Sequence, residues 1–388
     1  MMTRIVCLYV FVTFIALNID AQRILSQQSK ISVLTCSQGD ELYAAFGHTA
    51  LRVSDAENNI DWVFNYGTFD FNTPNFYLKF ANGKLNYILS ISKFEHFLPE
   101  YFRNNRTVTE QILNLPLEDR QSIFNALMVN YRPENRKYKY DFFYDNCATR
   151  IVDMVADNIK GELVLETEKS KELSFREYLH HYLVYSPWIE TGLNLLLGLP
   201  ADKKASLRES TYLPDFLMEA FDRATISKGS GVSALVGEKH LLLDLDASRS
   251  QKKTVLSPVR VCWAFLLSVL VLSIVMQGNS LIYFDRFLFL ISGLVGMLMA
   301  YLWLFTDHSV PANNLNILWA VPTFVYLAFS KLDSKISMCL IYFNLACLTI
   351  FLLGWKYIPQ SFPLATIPLA LLLVFRLYTK LNANTKFI

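Results

Sequence analysis

Apolar and polar positions follow two periods in the first two thirds of this chain, and then give way to long apolar runs. Residues 31–35 read as a short strand, and Gln38-Gly39-Asp40 as a turn before a possible helical turn at Glu41–Phe46. Two further strand-like runs, Thr49–Val53 and Trp62–Thr68, flank a segment with turn chemistry, residues 54–59. Folded as a hairpin centred near Glu57, they set His48 opposite residues about 65 to 67. Phe76–Phe80 reads as a short helix closed by Asn82-Gly83, Leu85–Ile91 and Thr107–Leu113 as strands, and Leu117–Tyr131 as a helix. Ala148, Ile151, Val152, Val155 and Ile159 recur at spacings of three and four on one helical face. Asn146 is its N-cap and Gly161 its expected stop. Phe175–Tyr185 and Asp215–Ile226 are expected helices. Trp188–Leu199 fits either a core helix or an interfacial one that seats the domain on a bilayer. Ser227–Gly237 reads as a flexible stretch and Leu241–Leu245 as an edge strand.

From Val261 the pattern changes. Val261–Met276, Phe287–Phe305, Leu315–Phe329, Ile336–Trp355 and Phe362–Tyr378 are five apolar runs of spanning length, the third and fifth at the short limit. Residues 1–21 read as a secretory signal, with Arg4 before an apolar core and Ile19-Asp20-Ala21 before a plausible cut; an uncleaved anchor is the alternative. The expected organisation is a signal peptide (1–21), an exported α+β domain (22–247), a linker (248–260) and an all-α membrane domain of five transmembrane helices (261–388). An odd number of spans places the C-terminus in the cytoplasm. Arg286, Lys331, Lys335, Lys380 and Lys386 then fall on the inner side, with Lys356 as the exception.

The chain has 388 residues, 53% of them hydrophobic, and a net charge of +2. No basic stripe interleaved with aromatics occurs, which excludes nucleic acid as a partner. Of six cysteines only Cys36 and Cys147 fall in the exported segment. They are either a single disulfide or a structural cysteine and a reactive one.

Cys147 falls in the first turn of its helix, where unpaired N–H groups and the helix dipole favour a thiolate. A thiolate of this kind needs a base, and His48 is the candidate. Helix N–H groups near Cys147 are candidate oxyanion donors. Asn65 is a candidate for orienting the imidazole. Asp70 reads equally as a turn former or as an acceptor behind the dyad. Arg150 can meet a phosphate or pair with Asp145 or Asp153, and the nearer acids favour the pairing. Asp307 and His308, in the outer loop, are either ordinary loop residues or contacts to a lipid head group. His96, His180, His181 and His240 lack metal spacing, so no metal or cofactor is expected.

Four runs carry a family resemblance: Leu34–Glu41, Phe46–Arg52, Asn65–Phe71 and Tyr140–Arg150. They resemble the exported domain of the Lnb-type lipoprotein N-acyltransferases of Bacteroidetes. The resemblance continues at Phe305–His308 and Asn313–Asn316, which adds Asn314 to the possible substrate contacts. It implies a permuted papain-like fold, similar to NlpC/P60 and lecithin–retinol acyltransferase domains. It implies Cys147 as nucleophile and His48 as base. Asp145 and Asn146, directly before the cysteine, are further possible orienting residues. The implied reaction moves an acyl chain from a phospholipid, through a thioester, to the N-terminal amine of a diacylated lipoprotein. The implied place is a bacterial inner membrane with the N-terminal domain in the periplasm. Two other readings stay open: an envelope cysteine peptidase or amidase, and a non-catalytic anchored protein that binds lipoproteins.

Overall fold

The computed structural model describes residues 23–166, 173–245, 256–276, 281–331 and 334–385. The expected leader and most of the expected linker lie outside the described residues. The strands are β1 (Lys30–Cys36), β2 (His48–Asp55), β3 (Ile60–Thr68), β4 (Asn86–Lys93), β5 (Val108–Leu113), β6 (Lys137–Lys139), β7 (Glu162–Val164), β8 (Thr225–Lys228), β9 (Gly231–Ala234) and β10 (Val236–Leu243). Seven of them pair antiparallel in one sheet, in the order β10-β5-β1-β2-β3-β4-β6. The hairpin β2–β3 turns at residues 56–59, within the expected turn segment 54–59 and about the expected centre near Glu57, with Asp55 opposite Ile60 and Leu51 opposite Phe64.

Both faces of this sheet are covered, which is why β1 is buried from Ile31 through Cys36. Ile31, Val33, Leu51, Val53 and Phe64 face helices Leu117–Tyr131, Cys147–Ala156 and Pro214–Arg223, and form the main core with Ile123, Ile151 and Leu217. The alternate residues Leu34, Cys36, Ala50 and Val63 pack on Phe97 and Tyr101 of helix Phe94–Arg103. That helix has Pro99 in its interior, a residue that disfavours helix, and the sequence pattern gives no reading there.

Several boundaries differ from the sequence expectation. The Cys147 helix ends at Ala156 rather than at Gly161. Gly161 serves a close approach instead, since a Cβ there would lie 2.8 Å from Ile226 and 2.9 Å from the Ser227 carbonyl. Asp215–Ile226 is a helix only to Arg223; β8 begins at Thr225 and forms a hairpin with β9 inside the stretch expected to be flexible.

The membrane part follows as helices Pro258–Val275, Ile282–Phe305, Lys335–Gly354 and Thr366–Thr385. Among the described residues, the first three are long and apolar enough to cross a bilayer. The third apolar run is not one spanning helix. It forms a 3-10 turn, Leu315–Leu318, and a short helix, Phe324–Phe329. Pro322 between them supplies no backbone donor. Non-helical backbone at bilayer depth is tolerated where protein covers it, and Ala320, Val321 and Phe324 are buried. Asp285 pairs with Arg376 and Lys380 in the same core, and Arg376 donates to the Ser273 hydroxyl.

Helix Pro187–Leu196 lies between the two parts. Leu193 packs on the exported domain and Leu195 on the membrane core. Asn314 is buried here, not free for a substrate: its Nδ2 donates to the Leu195 carbonyl at 2.8 Å, and its Oδ1 accepts from Asn316 and Gln360.

Candidate active site

The local sequence Asp141–Thr149 builds the turn that carries Cys147. Asp141 Oδ1 accepts from the Phe143 and Tyr144 amides at 2.9 and 3.0 Å, folding the chain back to the helix start. Asn146 then caps the helix. Its Oδ1 accepts from the Ala148 and Thr149 amides at 2.8 and 3.0 Å, and Thr149 Oγ1 returns a bond to the Asn146 amide. Its Nδ2 donates to the Phe142 and Tyr212 carbonyls at 2.9 and 2.8 Å. Asn146 is buried with every polar atom matched, so its work is to fix the helix rather than to touch a ligand.

This cap takes two of the N–H groups the sequence offered as oxyanion donors. Among the described residues the Cys147 amide is the first-turn donor left without a partner. One helix N–H, not a set, is thus left at this end of the helix.

Cys147 and His48, almost a hundred residues apart in sequence, meet at this helix start. The half-buried Cys147 thiol is hydrogen-bonded to the His48 imidazole, and the Thr49 amide also donates to the sulfur. Burial alone would raise the thiol's pKa, but the imidazolium beside it and the bonds from His48 and Thr49 outweigh burial and lower it to about 7. Burial would likewise lower the histidine's pKa; the thiolate overcomes it and raises the imidazole above its ordinary value. The two groups titrate as a pair and share one proton.

His48 Nε2 donates to Asn65 Oδ1 at 3.3 Å, which places a proton on Nε2 and leaves Nδ1 as the nitrogen available to the thiol. Asn65 is held in turn by a bond from its Nδ2 to the Val63 carbonyl. Gly67 lies beside the sulfur with φ at 87°, and a side chain there would come within 3.8 Å of the Cys147 Cβ. That contact is ordinary, so it is the left-handed backbone that calls for glycine here.

Other expected site residues sit elsewhere. Asp70 is exposed and accepts from the Asn72 amide, so it forms a turn and does not orient the dyad. Asp145 holds Arg150 in a two-pronged pair at 2.5 and 2.8 Å, and the guanidinium lies 3.6 Å over the Tyr138 ring. This pairing is structural and occupies both residues. His308 Nε2 donates to the Phe80 carbonyl, and the Asp307 amide to the Asn82 carbonyl, so both join the loop to the exported domain. Cys36 and Cys147 are both free. Cys36 is buried on the helix Phe94–Arg103 face, and burial pushes its thiol up to about 12, so it stays protonated.

Two residues were not singled out from sequence. Thr49 follows the histidine directly and gives the sulfur a backbone bond, a placement visible only once the strand meets the helix. Arg106 is buried with Nε on the Ser37 carbonyl at 2.7 Å, and its charge opposes protonation of His48.

The family comparisons cover both parts. Residues 19–181 match the model described as the Lnb N-terminal periplasmic domain, and residues 250–386 match that described as the Lnb transmembrane domain. No curated protein and no solved structure matches the chain.

Proposed function

The chain belongs to the Lnb family, with a periplasmic N-terminal domain and a C-terminal membrane region, and on that premise we propose that it is a lipoprotein N-acyltransferase working through Cys147. The observation that carries this reading is the Cys147–His48 contact at the start of a capped helix, with the thiol lowered to about 7. A nucleophile of that kind is half ionised at neutral pH without being a weak leaving group.

In the first step the Cys147 thiolate attacks the carbonyl carbon of a phospholipid ester. The Cys147 amide stabilises the oxyanion, the C–O bond breaks, and the imidazolium of His48 gives its proton to the departing lysophospholipid oxygen. In the second step the N-terminal amine of a diacylated lipoprotein attacks the thioester. The C–S bond breaks, the thiolate leaves, and His48 takes the amine's proton. A thioester suits an amine acceptor because the thiolate leaves easily; water must be kept away, and a site against lipid favours that.

We read the exported domain as a permuted papain-like fold, with histidine before cysteine in sequence. We read the membrane region as five segments in the inner membrane, the third of them broken, with the C-terminus in the cytoplasm. The test is a mass measurement of a co-expressed lipoprotein. The wild type should add one acyl chain, and Cys147→Ser and His48→Ala should add none. Unchanged acylation in both variants, or cleavage of cell-wall peptides in its place, contradicts the reading.

A further inference from the structure

Helix Phe76–Ala81 buries Phe76 and turns the rest of its apolar side chains outward. Tyr77 is 81% exposed, Leu78 61% and Phe80 50%, and Phe71 in the preceding loop is 68% exposed. Four large apolar side chains on one short segment form a patch that a water-facing surface rarely keeps.

The end of this helix is tied to the end of a spanning helix. The Tyr301 hydroxyl of helix Ile282–Phe305 donates to Asn82 Oδ1, His308 Nε2 donates to the Phe80 carbonyl at 3.1 Å, and the Asp307 amide donates to the Asn82 carbonyl at 2.9 Å. Tyr301 lies four residues before the helix end at Phe305, which at about 1.5 Å per residue is one turn inside it. Tyrosines take that level at the bilayer interface. Asn82, and the patch just before it, therefore stand at the depth of the lipid head groups.

Charge supplies the second observation. A cleft of about 360 Å3 beside the helix is lined by Lys79, Lys84, Arg136 and Lys137, with Asp70 as its one acid. Among the described residues none of these four cations pairs with a carboxylate, and the buried Nε of Arg136 has no partner. Lys79 sits on the same helix as the exposed aromatics. An apolar face flanked by unpaired cations is the pattern of an element that lies in an anionic lipid interface.

We propose that the segment Phe71–Phe80 dips into the outer leaflet, with Phe71, Tyr77, Leu78 and Phe80 among the acyl chains and the cleft cations against phospholipid phosphates. The cleft lines the Asn86 and Ile88 face of β4, whereas Tyr87, on the opposite face, stacks on Tyr140 at 4.4 Å. The cleft is thus a mooring point and not the reaction pocket. A ladder of rings, Phe76–Phe69–Tyr87–Tyr140, runs from the patch, and the Tyr140 ring reaches Gly67, which borders Cys147. Docking this segment holds the thiol beside lipid whatever reaction it performs.

The test uses the full chain in vesicles of phosphatidylethanolamine with and without phosphatidylglycerol. A benzophenone amino acid replaces Tyr77 or Phe71, and in parallel Val232, exposed on β9, and Ile291, exposed on a spanning helix. Irradiation and mass spectrometry should find phospholipid adducts at 77, 71 and 291 and none at 232. Adducts at 291 without any at 77 or 71 overturn the proposal. Lys79→Glu with Lys84→Glu should lower the adduct yield at 77 several-fold in the vesicles containing phosphatidylglycerol; an unchanged yield overturns the assignment of the cleft to phosphates. Neither outcome depends on acyl transfer, so failure here is distinguishable from failure of the proposed reaction.

Discussion

His48 Nε2 donates to Asn65 Oδ1 across 3.3 Å, from the start of one strand to its hairpin neighbour. That bond decides which imidazole nitrogen faces Cys147. Asn65→Ala frees the ring to rotate and to carry its proton on the wrong nitrogen. The expected result is a fall in turnover of up to about 10²-fold, with little change in KM or in thermal stability. Kinetics on purified protein with a lipopeptide acceptor, beside a melting curve, check both halves.

The pKa directions fix a pH dependence. With the Cys147 thiol lowered to about 7, the thiolate fraction rises as pH increases through neutrality. The alkylation rate of Cys147 should therefore follow a midpoint near 7 rather than the 9.0 of an ordinary thiol. In His48→Ala the attraction of the imidazolium is gone and burial acts with little opposition, so the midpoint should move upward, above 9. Rates of iodoacetamide labelling at a series of pH values, read by peptide mass spectrometry, separate Cys147 from the protonated, buried Cys36.

The two parts of the chain meet at Gly198. Its amide donates to the Val310 carbonyl at 3.0 Å, and a Cβ there would lie 1.9 Å from the Ala312 carbonyl oxygen. Backbone against backbone cannot yield as a flexible side chain can. Gly198→Ala should pry the loop at residues 310–312 off the exported domain while leaving the dyad intact. Limited proteolysis of the membrane-embedded protein should show faster cutting in that loop, with Cys147 labelling at neutral pH unchanged.

The buried group Asp285, Arg376 and Lys380 predicts a stability effect far from the thiol. Asp285→Asn leaves two cations without their anion inside an apolar core, and removal of one partner of a buried pair costs about 3–5 kcal/mol. A melting curve in detergent micelles should shift well down. Arg376→Met with Asp285→Leu, which removes most of the buried charge, should recover part of the loss.

What the sequence conveyed depended on how local the signal was. Strands β1 to β3 and helix Leu117–Tyr131 were legible as short apolar runs set off by turn residues. The hairpin register pointed to Asn65, because a pairing centred on one turn determines every residue opposite. The Asn146 cap was legible for the same reason: it is a bond between neighbours. Asn314 was not, because its partners lie at Leu195 and Gln360, and only the packing of helix Pro187–Leu196 on the membrane part brings them together. Asp70 stayed open between two readings, because a turn former and an orienting carboxylate look alike until the chain direction is known; the structure makes it the turn former. The third apolar run misled because hydropathy counts side chains, while Pro322 acts through the backbone it fails to donate. Thr49 escaped notice since its contribution is an amide, and an amide leaves no mark on composition.

The central claim is that the Cys147 sulfur carries the acyl group between donor and acceptor. Membranes holding the full chain, quenched in acid without added lipoprotein acceptor and digested at low pH, should yield the Cys147 peptide with one acyl chain in thioester linkage. That mass should vanish on treatment with neutral hydroxylamine and be absent from His48→Ala. A Cys147 peptide found only as the free thiol, in membranes that still acylate lipoproteins when acceptor is supplied, would contradict the account.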